Sequence, residues 1–97
     1  MSIDETVPVI IVGNSKPALN YITAIITVFN KGYPKIRVRA RGKAIAHAVE
    51  VVQLLRSSFV GDVEIAGWKI DKETIKRENG GSVNLPVLEL QLARRHA

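Results

Sequence analysis

Residues 35–45, KIRVRARGKAI, constrain the fold more than any other stretch of the chain. Ile36, Val38 and Ala40 alternate with Lys35, Arg37, Arg39 and Arg41, and a period of two marks a strand with one apolar and one cationic face. Side chains on one strand face stand about 7 Å apart, within the about 8 Å over which physiological salt screens charge. Such a row repels itself unless an anion offsets it, and a buried face is not expected to carry four cations. Gly42 then breaks the strand, and Lys43 opens a helix whose unpaired N–H groups and dipole favour an anion.

The flanking segments fix what this strand belongs to. Residues 1–6 are polar and acidic and are expected to form a flexible tail. Val7 to Val12 is a nearly continuous β-branched run, a first strand, with Pro8 tolerated only near its start. Gly13, Asn14 and Ser15 make a turn with helix-capping side chains, and Pro17 suits the first helical position. A helix over about 17–31 follows, with Leu19, Ile22, Ile26 and Phe29 as its buried stripe and Ile25 widening it. Gly32 and Pro34 end it. The cationic strand spans 35–40, and a second helix over about 43–58 turns Ala44, Ala48, Val51, Val52 and Leu55 to one side.

A third strand begins at Val63. Val63 and Ile65 share one parity and Trp68 and Ile70 the other, so Ala66 and Gly67 are expected to form a β-bulge. Residues 71–83, with the turn signal Asn79-Gly80, read as an extended hairpin arm. A fourth strand over 83–93 points Leu88, Leu90 and Leu92 inward. The order βαβαββ predicts an α+β fold, a four-stranded mixed sheet with two helices on one face, as a single domain over residues 1–97.

Charge then narrows the partners. The 97 residues carry a formal net charge of +5, which favours nucleic acid or an anionic surface. A membrane span is not expected, since the longest apolar run is short and contains Pro8. The acidic start does not read as a signal peptide, and the chain has no cysteine for disulfides or thiolate metal sites; both fit a protein that stays in the cytoplasm. No cofactor or metal is expected.

If the first two strands are parallel, the turns 13–16 and 41–43 lie at one sheet edge and place Lys16 beside Arg41 and Lys43. If the third strand is parallel to both, the arm projects from that edge too. Neighbouring phosphates suit such an edge better than one small ligand. The plain alternative for Lys35, Arg37 and Arg39 is a solvated face, and Lys16 alone would be an ordinary surface lysine. In the arm, Lys72, Lys76 and Arg77 are matched by Asp71, Glu73 and Glu78. Catalysis is poorly supported: His47 and His96 have no metal-pair spacing, and GNSKP lacks the second glycine and GK[ST] ending of a phosphate loop. A small phosphate-handling enzyme would need a deep pocket beside Lys16. Tyr21 and Trp68 read as core or interface aromatics.

The segments VGNSKPALNYI (12–22), RARGKAIAHAVEVVQLLR (39–56) and VLELQLARR (87–95) resemble the Alba chromatin proteins of archaea over nearly the whole chain. The resemblance implies a dimeric βαβαββ domain, similar in fold to the C-terminal domain of translation initiation factor three. It implies coating of double-stranded DNA with little sequence preference, DNA condensation in the nucleoid, and RNA binding. It also allows a homodimer or a heterodimer with a paralogous chain. Carried across by motif, Lys16 matches the second lysine of the family's GKKP loop, and Arg41 and Lys43 match the basic pair of its ARG[KR]A turn. The implied nucleic-acid contacts are Asn14, Ser15, Lys16, Arg39, Arg41, Gly42 and Lys43, with Lys76 and Arg77 on arms reaching into the minor groove. Phe59 matches an aromatic through which dimers pack side by side on DNA. The loop Gly13-Asn14-Ser15-Lys16 is one residue longer than GKKP and has Ser15 in place of a lysine, so acetylation of Lys16, a control known in the family, is not implied with the same force.

Overall fold

The β-rich pattern and its two amphipathic helices resolve, in a computed structural model describing residues 4–95, into β1 (Val9–Ile11), α1 (Ala18–Asn30), β2 (Lys35–Arg41), α2 (Ala44–Leu54), β3 (Val63–Lys76) and β4 (Ser82–Arg94). Residues 55–59 continue α2 as one π-helical turn, in which the Val60 N–H reaches the Leu55 carbonyl at 2.8 Å. The sheet order is β1-β2-β4-β3, with β1 parallel to β2 and β4 antiparallel to both β2 and β3. This is the mixed sheet and βαβαββ order expected from the sequence. The conditional about β3 also holds, because two antiparallel steps make it run in the same direction as β1 and β2.

The core fills the space between the sheet and the two helices. Ile36, Val38 and Ala40 of β2 and Leu92 of β4 meet Ile22, Ile25 and Phe29 of α1 and Ala48, Val51, Val52 and Leu55 of the second helical segment. The stripe expected on α2 is buried as read. On α1 one position is corrected: Leu19 is exposed and Tyr21 takes its place in the core. The first turn is set so that position 21 and not 19 faces the sheet. Pro17 is the N-cap residue, not the first helical one, and no side chain caps the helix. At the other end Gly32 holds φ +100°, closing α1 in a conformation that L side chains rarely adopt.

Ala66 is the extra residue of the expected bulge, since Ile65 pairs with Leu92 and Gly67 with Gln91. Beyond it, β3 and β4 outrun the rest of the sheet. Arg41, the last residue of β2, pairs with Val87, which pairs with Asp71; the ladder then continues from Lys72–Pro86 to Lys76–Ser82. Those five further pairs extend the arm by about 17 Å.

The cationic row is answered from within the chain. Register places Glu89 of β4 across from Arg39 and two residues from Gln91, the partner of Arg37, on the sheet face away from the helices. Its side chain is 1% exposed, with Arg37 Nη1 at 2.6 Å and Arg39 Nη1 at 3.7 Å. Residues 4–7 cross the same face. Arg37 donates to the Val7 carbonyl, the Glu5 carbonyl and the Glu5 carboxylate, while the Asp4 N–H donates to Gln91. From Asp4 onward the segment expected to be a tail is therefore hydrogen-bonded to the sheet. Thr6 donates its hydroxyl and its N–H to the Asp4 carboxylate and holds it below the usual range. The expectation that a buried row could not carry cations is corrected here: Arg37 is 12% exposed because Glu89 lies beside it.

Removing one member of a buried pair strands the other charge, at a cost of about 3–5 kcal/mol. Glu89→Gln should therefore lower unfolding stability in urea by about 3 kcal/mol. A loss below about 1 kcal/mol, the range of a surface pair, would contradict this account.

Candidate nucleic-acid interface

Exposure along β2 rises toward its C-terminal end: 12% at Arg37, 35% at Arg39 and 52% at Arg41. The row is thus anchored at one end and presented at the other. At the presented end the strand turns through Gly42, whose φ of +55° and N–H bond to the Pro86 carbonyl (2.8 Å) set the direction of α2. A Cβ there would make only ordinary contact with Leu85 at 3.5 Å, so conformation, not space, demands glycine.

The loop after β1 meets this turn. Gly13 and Asn14 line the same hollow as Arg39, Arg41, Gly42 and Lys43, a space of about 660 Å³ at the C-terminal ends of the two parallel strands. Lys16 stands on the neighbouring shoulder: His47 Nε2, one turn into α2, lies 2.7 Å from its carbonyl oxygen. Because a carbonyl can only accept, that nitrogen carries the proton. Tyr21 braces the other end of the loop by accepting the Gly13 N–H at 3.1 Å, and its ring meets His47 edge-on at 5.8 Å. Sequence reading missed both bracing roles. Their signal was the position of Tyr21, one helical turn past Pro17 and hence beneath the loop.

Of the residues singled out from the sequence, Asn14, Arg39, Arg41, Gly42 and Lys43 come together at the hollow. Ser15 and Lys16 follow in the braced loop, and the Lys16 side chain is not part of the hollow's wall. The cations differ in freedom. Arg41 Nη1 is 3.0 Å from Glu73, whereas neither Lys16 nor Lys43 forms an ion pair among the described residues. Lys76 and Arg77 sit at the tip of the arm, where the Arg77 N–H closes the turn onto the Gly81 carbonyl. The arm's charge is not evenly spread. Asp71 and Glu73 are engaged by Lys69 and Arg41 at its base, which leaves its far half the more basic.

Two further surfaces lie away from this edge. The helices cover β1, β2 and the Leu92 and Val63 ends of β4 and β3, while Ile65, Trp68 and Ile70 of β3 remain exposed on the helix side, beside half-buried Leu88 and Leu90. Phe59 is exposed in the π-helical turn, at the opposite end of the second helical segment from Lys43. Among the described residues, no cluster of His, Asp and Glu could hold a metal ion, and no helix is long and apolar enough to cross a membrane. His96 lies outside the described residues.

A family model described as Alba matches residues 8–71. The chain is 42% identical over 86 residues to the DNA/RNA-binding protein Alba of Methanothrix thermoacetophila, covering 89% of this chain and 94% of that protein. It is 40% identical over 86 residues to DNA/RNA-binding protein Alba 1 of Archaeoglobus fulgidus, with the same coverage of 89% and 94%. The solved structure of Alba from Thermoplasma volcanium superposes with a TM-score of 0.81 at 40% identity, covering 89% of this chain and 99% of that one.

His47→Phe retains the ring beside Tyr21 and removes the bond to Lys16. Amide exchange at Ser15 and Lys16 should then quicken by about fivefold, the equivalent of one net hydrogen bond. Unchanged exchange would show that the loop holds itself.

Proposed function

This chain belongs to the Alba family, and we propose that it binds nucleic acid as an architectural protein, a dimer that coats and condenses double-stranded DNA with little sequence preference. The observation that carries this reading is the convergence of two helix-entry loops and a projecting arm on one sheet edge. Lys16 and Lys43 supply charge that forms no ion pair among the described residues, and Arg39 and Arg41 share the hollow with Lys43. Asn14, Ser15 and Gly42 are small enough for a phosphate to approach the backbone. The relatives' names support the ligand class, and the net charge of +5 supports the electrostatics.

In this reading Lys76 and Arg77 carry the arm along the minor groove, whose form can be followed without reading bases. The exposed Ile65, Trp68 and Ile70 face supports the dimer, since a second copy or a paralogous chain would cover apolar surface the helices leave open. Phe59, far from the phosphate edge, is available for contact between neighbouring dimers. Bound in this way, the protein would reside on the chromosome, within the nucleoid. RNA is the second reading, favoured by the relatives' DNA/RNA-binding names; phosphate contacts do not by themselves separate the two. Competition between duplex DNA and structured RNA at matched salt ranks them.

With roughly four to six phosphates neutralised per dimer, log K should fall with log salt at a slope of about −4 to −5. Arg41→Ala and Lys43→Ala should each weaken binding to all sequences alike and reduce that slope by about one. A slope near −1, strong preference for one sequence, or unchanged affinity in the double variant would contradict the assignment. In the same titrations, Phe59→Ala should preserve single-dimer affinity and lower cooperativity along DNA; identical cooperativity would remove Phe59 from the contact.

A further inference from the structure

The hollow between the two loops is larger and less uniformly cationic than phosphate contact requires. Its volume of about 660 Å³ lies within the about 300–1,000 Å³ range of small-molecule sites. Ile11 and Leu85 line it together with Ala40 and Ala44, so much of its wall is hydrocarbon. Ile11 is 68% exposed on the sheet face away from the helices, directly across from Arg39 in the β1–β2 register. Ile11 thus offers an open apolar contact beside an arginine.

The polar groups of the wall are arranged for a mixed ligand. Lys43 and Arg39 offer positive charge, Asn14 offers an amide, and Glu73 offers a carboxylate whose charge is shared with Arg41 at 3.0 Å. A site for phosphate alone would not include a carboxylate, which repels it. The Arg39 guanidinium also keeps donors in reserve. Glu89 is bonded closely by Arg37 at 2.6 Å, whereas Arg39 stands 3.7 Å away, and Glu89 Oε2 makes no hydrogen bond among the described residues. Arg39 is held in place by charge without spending its hydrogen bonds there.

An apolar wall, an arginine plane, an amide, a carboxylate and a cationic lip match an amphiphilic anion: a flat ring with polar edges joined to a phosphate. Resting on the nucleic-acid-binding reading above, we propose that this hollow seats one unpaired nucleotide of the bound strand. Its base lies against Ile11 and Leu85 and beside Arg39, and its phosphate lies on Lys43. Unpaired bases are readily splayed from a strand and stack on guanidinium planes, whereas a continuous duplex offers none. The substrate class is therefore a nucleic acid carrying a bulge, a loop or an end, bound in preference to an unbroken duplex.

The test compares a duplex carrying one bulged nucleotide with the fully paired duplex of the same length, at the same salt, using the full chain. The bulged duplex should bind about fivefold tighter, the scale of modest apolar burial. Ile11→Ser, at an exposed position and without change of charge, should abolish the preference and leave affinity for the paired duplex unchanged. Leu85→Ser, at the opposite wall, should do the same. Equal wild-type affinity for the two duplexes would overturn the proposal while leaving the architectural reading intact. A preference that survives both substitutions would also overturn it, since flexibility of the bulged duplex would then be the cause. Failure to bind either duplex would instead overturn the reading on which it rests.

Discussion

The carboxylate of Glu89 is the constraint on which the sheet depends. Three arginines alternate along a central strand, and a neutral β4 beside them would leave their mutual repulsion uncompensated. Glu89 answers Arg37 and Arg39 together, with Glu5 and Glu73 at the two flanks. Burying such a cluster costs several kcal/mol in desolvation, so its net contribution to stability is small even though breaking it is expensive. What it specifies is register. A slip of one residue along β4 would carry Glu89 into the helix-facing core and bring Leu88 or Leu90 beneath the guanidinium groups.

The same row explains how a strand can be structural at one end and exposed at the other. Arg37 is enclosed by Glu89 and the crossing residues 4–7; Arg41, four residues on, reaches the open edge, where among the described residues its ion-pair partner is Glu73. Beyond that edge the sheet narrows to two strands. Because two of the arm's three acids, Asp71 and Glu73, are engaged at its base, a segment of zero net charge is polarised along its length, with Lys76 and Arg77 outweighing Glu78 at the tip.

Much of this was legible in the sequence, for reasons that differ by element. The period-two alternation of 35–41, the parity switch at Ala66 and the helical spacing of Ala44 to Leu55 are local patterns, and each appears where the pattern places it. The family blocks around Pro17 and Gly42 carried the fold. Long-range pairing was not legible. Nothing in 35–41 announces that its counter-ion is 52 residues away, because the anion is brought there by strand order, which local pattern does not encode. For the same reason the arm looked electrically neutral. Leu19 was misplaced because three- and four-residue spacing gives the width of a stripe but not its rotation about the helix axis. The apolar face of Ile65, Trp68 and Ile70 could be recognised as unpartnered only once the helices were seen to stop short of it.

In the proposed function, the 13–16 loop and the 41–43 turn form one rim that acts on a single stretch of phosphate backbone. The most direct measurement is an amide chemical-shift titration of the protein with a short DNA duplex. The amides of Asn14 to Lys16 and of Gly42 to Ala44 should move together along one binding curve, with those of the arm tip. Shifts confined to one loop, or two loops titrating with different affinities, would show that the rim is not a single site.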